Sequence, residues 1–308
     1  MNIWVPLISR RVVLVTGKEG RDLLQGISTN DINLLGNQKG IFTAFLNRQG
    51  RFLADAFVFQ NQERLYLEYD SVHHSVIMGL IHKYGPLHGV QVKEVPWAVI
   101  SFSGSESAFL YQKIQDKIQE YLGIIFQDFR HPSLGFRVAL PYEYWHEIPT
   151  PLCIPGTETS YRTLCIQNGV PSGAHDLVYE RSLILEYQYH FHQGISWKKG
   201  CYVGQEVIAS SFYQNRVHKS LFYLTHIQGE RVPSVGEAIL DFKGNVQGRW
   251  GYIQSGHGLI CLEQAWGLEC LNSGHFQCST HNGEIITGTL VSFSNSFNRC
   301  DQGANNVQ

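Results

Sequence analysis

The sequence predicts an α+β chain: two ferredoxin-like α/β modules followed by a C-terminal antiparallel β-barrel. Three observations carry this expectation. Short apolar strands alternate with helix-spaced stretches as far as Leu140. Pro96 interrupts that alternation at a point where one set of strands has been completed. From Val217 the texture changes to short strands separated by glycines, the pattern of a small barrel. With 308 residues the chain has room for two or three cores. The expected units are 1–95, 96–216 and 217–308.

The elements follow from local pattern. Arg11–Thr16 is an expected strand, and Lys18–Gly26 a short helix with Leu23 and Leu24 as its buried side. Phe42–Asn47 and Arg51–Gln60 are apolar runs joined by Asn47-Arg48-Gln49-Gly50, a polar hairpin turn ending in glycine. Arg64–Tyr69 alternates as a strand, Val72–Tyr84 has helical spacing, and Val90–Val95 returns as a strand. After Pro96, the order strand (Trp97–Phe102), helix (Glu106–Leu122), strand (Ile124–Asp128), strand (Gly135–Leu140) is half of a split β-α-β unit. Pro141 to Pro155 is an aromatic-rich and proline-rich connection. Asn168-Gly169-Val170-Pro171 is a turn, and His175–Tyr189 is expected to be the best helix, with Leu177, Ile184 and Leu185 inward. The barrel strands are expected at Leu221–Ile227, Val235–Asp241, Gln247–Ser255, Leu259–Leu262 and Ile285–Val291, with a frayed tail over Asp301 to Gln308.

Composition narrows the function. Lys plus Arg number 24 against 26 Asp plus Glu, a formal net charge of -2, which removes the electrostatic case for a dedicated nucleic-acid binder. No apolar run is long enough to span a membrane. The N-terminus shows no targeting pattern, which favours the bacterial cytosol; a processed organelle protein has the same appearance. The cysteines are Cys153, Cys165, Cys201, Cys261, Cys270, Cys278 and Cys300, an odd number without a C-x-x-C pair, so neither a disulfide framework nor a zinc knuckle is indicated.

One cysteine has unusual neighbours. Lys198-Lys199-Gly200-Cys201-Tyr202-Val203-Gly204-Gln205-Glu206 brackets it with glycines, which allow a sharp bend and close approach to the main chain. An ammonium such as Lys199 favours thiolate over thiol, and Glu206 supplies a counter-charge or proton acceptor. The alternative is a tight turn with a merely packed cysteine. Asp55 lies inside an apolar strand, where it either faces water or bonds a ligand in a cleft. Glu186 follows Ser182-Leu183-Ile184-Leu185; it is either a ring-binding carboxylate, suited to the paired N–H donors of a pterin or guanine-like ring, or a helix-surface charge. Arg162 is a carboxylate partner or a surface residue. His190-Phe191-His192 offers two imidazoles on one side of a strand but no third metal ligand. Val15-Thr16-Gly17-Lys18-Glu19-Gly20 lacks the spacing of a phosphate loop and is taken as a strand-to-helix turn.

Lys199–Glu206 resembles the K-G-C-[FY]-x-G-Q-E motif of the YgfZ-type folate-binding proteins, in the superfamily of the glycine-cleavage T-protein, an aminomethyltransferase. Leu24-Gln25-Gly26-Ile27-Ser28-Thr29-Asn30-Asp31 is similar to the family's LQGx-TND segment, and Asn47–Asp55 to its qGRxxxD hairpin. Arg162, Asn168-Gly169-Val170-Pro171 and Glu186 match its R…G-x-P…lE stretch, and Gly236 with Gly248–Ser255 is similar to its barrel. The resemblance implies a three-module cloverleaf around a channel that holds tetrahydrofolate or a one-carbon derivative. It implies ring contacts from Asp55 and Glu186, further cofactor contacts from Arg162, Asn30, Gly200, Gly204, Gln205 and Glu206, and Cys201 as the functional thiol supported by Lys199. No resident metal site is implied. The cysteine points to the branch that supports assembly or repair of 4Fe–4S clusters in client enzymes, including radical enzymes that methylthiolate tRNA. A single cysteine implies a transient cluster shared with assembly proteins or clients. The alternative is a folate-dependent one-carbon transferase. A monomer without stable nucleic-acid or membrane binding is expected. The chain departs from the family at Ser210, where an arginine is usual.

Overall fold

The structure, a computed structural model, describes residues 2–36, 39–148, 151–280, 282–291 and 293. The chain runs β1 (Asn2–Pro6), β2 (Arg10–Thr16), α1 (Gly20–Ile27), β3 (Gly40–Leu46), β4 (Phe52–Asn61), β5 (Arg64–Asp70), α2 (His74–Tyr84) and β6 (Gln91–Val95). It continues with β7 (Trp97–Gly104), α3 (Ser107–Glu120), β8 (Ile124–Gln127), β9 (Phe136–Pro141), β10 (Cys153–Pro155), α4 (Glu158–Gln167) and α5 (Gln205–Tyr213). Last come β11 (Lys219–Gln228), β12 (Ala238–Leu240), β13 (Val246–Gln254), β14 (His257–Glu263), α6 (Gln264–Ser273), β15 (Phe276–Ser279) and β16 (Ile285–Val291).

The result is a mixed α/β fold with three sheets. The first has the order β3-β4-β5-β2-β6, antiparallel throughout. Alternation along β2 explains its layering. Val13 and Val15 pack with Leu23, Leu24, Ile77 and Ile81 of α1 and α2, whereas Val12 and Leu14 face a cluster holding Phe42, Phe57, Phe59 and Phe126. Both faces are therefore covered, which is why β3 and most of β4 are apolar without a polar side.

The second sheet has the order β10-β1-β7-β9-β8, with α3 covering its outer face through Leu110, Ile114 and Ile118. Its strand β1 sits between β10 and β7, so residues 2–6 join the segment that follows Pro96. The last six strands pair in the closed order β11-β14-β13-β12-β15-β16, around a core with Trp250 and Phe276 in edge contact. Among the described residues no helix is long and apolar enough to cross a membrane. Cys300 and the tail from Asp301 to Gln308 lie outside the described residues.

The expected helix over His175–Tyr189 is absent: the segment is a chain of turns. Glu180, Gln188 and Gln193 adopt positive φ of 56°, 60° and 53°, which no helix tolerates. The backbone of Phe52 takes the N–H of Glu180 and donates to the carbonyl of Ser182, tying the turns to a strand instead. Leu177, Ile184 and Leu185 are nonetheless buried. The strand expected around His190 and His192 is likewise turn structure.

Candidate functional site

Three separated motifs converge on the loop that carries Cys201. The end of α1 is laced to residues 193–203. The Thr29 hydroxyl donates to the Gly194 carbonyl at 2.6 Å, Ser196 N–H donates to the Thr29 carbonyl, and Val203 N–H donates to the Gly26 carbonyl. The Asn30 amide donates to the carbonyls of Phe42 and Gln193, both at 2.7 Å, so this residue is a strap between segments. Lys199 is buried, and its ammonium donates to the carbonyls of Gln25, Ser28 and Asn30 at 2.7, 2.7 and 2.9 Å. These are carbonyls at and beyond the helix C-terminus, where a cation is favoured. Burial pulls the Lys199 ammonium down to about 8, against the attraction of Asp31. Its three donors are thus spent on anchoring the loop.

Beyond that anchor the chain turns outward. Gly200 and Cys201 are exposed, Tyr202 is buried beneath the lysine, and Gly204 at φ +84° caps α5. Gln205 is half-buried and Glu206 exposed in the first turn of that helix. The hairpin 47–50 supports the far side, with Gly50 packed on Val207 and Gly204 against the Asn47 carbonyl. A cleft of about 670 Å³ opens next to this seam, lined by Asn47, Arg48, Lys83, Tyr84, Tyr179 and Val203 among others. Trp197, ahead of the cysteine, stacks on Phe212 near the end of α5 at 4.3 Å.

Asp55 occupies a different place. Its side chain is buried on β4, and Oδ2 accepts from the Gly173 N–H and the Tyr189 hydroxyl, each at 2.9 Å. His73 Nδ1 stands 3.5 Å from Oδ1, close enough for charge attraction but outside hydrogen-bond geometry. Burial pushes the carboxyl up, and His73, Arg10 and Tyr189 outweigh it, holding the group well below the usual carboxylate range. Asp55 is thus buried, with Oδ2 bonded from within the chain.

Glu186 is half-buried among Lys219, Arg51, Glu263 and Arg249, charges of the barrel and the hairpin, and burial raises its carboxyl. Its principal neighbours are not those of Asp55. Arg162, on α4, lies over the Tyr252 ring at 5.1 Å. It lines a cavity of about 50 Å³ together with Arg10, Asp70, Arg130, Arg137 and His175. Around this cavity a buried charge network joins the first two sheets. Glu68 accepts from Arg10 and Arg137, both at 2.6 Å, and Asp128 accepts from Arg137 at 3.1 Å and Arg130 at 2.7 Å. Both Arg130 and Arg137 also donate to the Tyr161 hydroxyl.

These residues bear on whether a tetrahydrofolate fits. A site for a drug-sized ligand is typically about 300–1,000 Å³, and the cavity beside Arg162 holds about 50 Å³. Asp55 has its Oδ2 filled from within the chain, and Glu186 has separate surroundings. Asp55 and Glu186 thus have different neighbours, and the cavity beside Arg162 is smaller than such a site.

Burial pulls His190 and His192 down to about 4, so both are neutral at pH 7, and no group of three His, Cys, Asp or Glu side chains among the described residues is placed to hold a metal ion. Among the described cysteines, Cys165, Cys261, Cys270 and Cys278 are buried, Cys153 is half-buried and Cys201 alone is exposed. Burial pushes the Cys165 thiol to about 11 and Cys278 to about 12. Tyr189 and Gly173 escaped sequence analysis, because nothing local marks a partner more than a hundred residues away; His73 escaped it because no pattern links it to a residue of the earlier strand β4.

No family model matches the chain. It is 29% identical over 224 residues to the mitochondrial iron–sulfur cluster assembly factor IBA57 homolog of Pyricularia oryzae, covering 70% of this chain and 55% of that protein. The homolog of Mycosarcoma maydis is 32% identical over 235 residues, covering 70% and 56%. The chain spans little more than half the length of these two relatives. The human factor IBA57 is 26% identical over 299 residues, covering 89% of this chain and 80% of that protein. A crystal structure of the glycine cleavage system aminomethyltransferase T from Bartonella henselae superposes with a TM-score of 0.69 at 14% identity, over 94% of this chain and 84% of that one. The chain has the aminomethyltransferase fold, and its sequence is similar to those of iron–sulfur cluster assembly factors.

Proposed function

We propose that this chain is a factor for the assembly or repair of iron–sulfur clusters, in which Cys201 is the thiol that meets the cluster. The observation that carries the proposal is the exposure of Cys201 on a loop anchored by three lysine–carbonyl bonds and braced by the 47–50 hairpin. A loop so held presents a thiol in one place at little entropic cost on binding. The likeness to assembly factors gives the cargo. A 4Fe–4S cluster takes four protein thiolates, so Cys201 meets one iron and the remaining ligands come from an assembly protein or a client enzyme. The cluster is therefore shared cargo, and the thiol gives its proton to solvent or to the exposed Glu206 as the iron–sulfur bond forms. The relatives are named as mitochondrial, and we take the mitochondrial matrix as the place of action. Radical enzymes that methylthiolate tRNA enter as clients through the motif resemblance.

The resemblance also adds tetrahydrofolate, and the alternative of a folate-dependent one-carbon transferase is favoured by the fold alone. In that alternative Asp55 positions the reacting amine, yet its Oδ2 is bonded to Gly173 and Tyr189. The test is complementation of a strain lacking its own homolog, read as activity of a 4Fe–4S enzyme. Wild type is expected to rescue and Cys201→Ala to fail. Full rescue by Cys201→Ala overturns the thiol role.

A further inference from the structure

We infer that the small charged cavity between the first two sheets does not admit a pterin, in contrast with what the motif resemblance implies. Size is the first argument. The cavity at the meeting point of Arg10, Arg162 and His175 holds about 50 Å³, room for a water or two but not for a bicyclic ring.

Chemistry is the second. A carboxylate that binds the paired N–H groups of a pterin must present both oxygens. Asp55 presents Oδ2 to the Gly173 N–H and the Tyr189 hydroxyl, and Oδ1 faces His73. The turn at Gly173 is pressed onto it: a Cβ there would stand 2.7 Å from the carboxyl carbon and 2.5 Å from the Phe52 ring. Only a glycine permits that approach, so the turn packs directly on the carboxylate.

The third argument concerns opening. Arg130 and Arg137 wall the cavity and are tied to Asp128, Glu68 and Tyr161. Moving either guanidinium aside leaves a buried carboxylate with one arginine instead of two, a destabilising change because part of its charge is then uncompensated. The pair Asp55 and Glu186, expected on one ring, stands in two environments, one bounded by His73 and Tyr189 and the other by Lys219 and Arg51. The thiol at Cys201 then works without folate in the core.

The experiment titrates the full chain with 5-formyltetrahydrofolate by calorimetry, with a glycine-cleavage aminomethyltransferase as the positive control. Glu186→Gln and Arg162→Ala are titrated alongside, after thermal melts establish that they fold like wild type. No saturable binding up to about 1 mM probe, which corresponds to only about 4 kcal/mol of affinity, is the expected result. Binding that both variants leave within twofold places the ligand outside the core and also supports the inference. Saturable binding that either variant weakens tenfold or more overturns it. The readout is independent of cluster transfer, so a failure here leaves the Cys201 test standing, and the reverse holds too.

Discussion

The carbonyl oxygen of Asn47 lies 2.6 Å from where a Cβ on Gly204 would stand, so the loop bearing Cys201 closes on the hairpin only with glycine at that position. Gly204 also has φ +84°, in the left-handed region that other residues adopt at a penalty. Gly200, on the other side of the cysteine, has no atom within 4 Å of its would-be Cβ. Gly204→Ala is therefore expected to destabilise by about 1–3 kcal/mol and to reduce client-enzyme rescue. Gly200→Ala should stay within about 0.5 kcal/mol of wild type. Urea unfolding of the two variants checks the contrast; equal destabilisation would show that the bracket acts through something other than space and φ.

Removing the thiol separates stability from activity. Cys201 is exposed, so Cys201→Ala should shift stability by no more than about 0.5 kcal/mol. Lys199→Met is different, because it orphans the carbonyls of Gln25, Ser28 and Asn30 at once. A loss of about 1–3 kcal/mol is expected, together with impaired rescue although the thiol is intact. A Lys199→Met variant of wild-type stability would mean that the lysine is not the anchor.

Asp55 predicts an acid response. Its pKa is lowered on folding, so its stabilising contribution is complete above the ordinary carboxyl range near pH 3.8 and lost as pH falls through the lower folded value. Asp55→Ala leaves the Gly173 N–H and Tyr189 hydroxyl unpaired and should cost about 3 kcal/mol or more at pH 7. The gap to wild type should narrow in strong acid. Chemical denaturation at pH 7 and pH 2.5 measures both; a gap that does not change with pH would show that the carboxylate charge contributes nothing.

How much of this was legible in the sequence depended on distance along the chain. The paired runs around Asn47–Gly50 were legible because a hairpin is local, and β3 and β4 have the observed antiparallel register. The turns at 175–189 were misread because Leu177, Ile184 and Leu185 recur at a spacing that a helix also produces. What fixes them is Phe52, more than a hundred residues earlier, and no pattern inside the segment announces it. Helix α4 had a local signal that went unused, the Thr157-to-Ser160 capping box. The Glu68–Arg137 pair spans 69 residues and the Asp55–Tyr189 bond 134, so each half looked like an isolated charge or ring. Cys201 stood out in the sequence because its glycines and lysine are adjacent to it; its exposure, and the lysine's bonds to the Gln25, Ser28 and Asn30 carbonyls, needed the structure.

Asp176 supplies a pH test of opposite sign. Its carboxyl is buried where the 172–176 turn meets the barrel, accepting from the N–H groups of Ser172 at 2.8 Å and Tyr252 at 3.1 Å. Burial outweighs these bonds and the attraction of Arg162, and the group is pushed up to about 6. Because the folded value lies above the unfolded one, the folded chain holds the proton more tightly. The contribution is therefore complete below pH 3.8 and is lost as pH rises through about 6. Asn in its place does not titrate and offers one acceptor for two donors. Asp176→Asn should thus be less stable than wild type, with the gap largest near pH 4 and smallest above pH 7. Paired melts across that range read it directly. A gap that widens as pH rises would mean that the carboxylate is stabilised where it sits, and that Arg162 serves as its ion-pair partner.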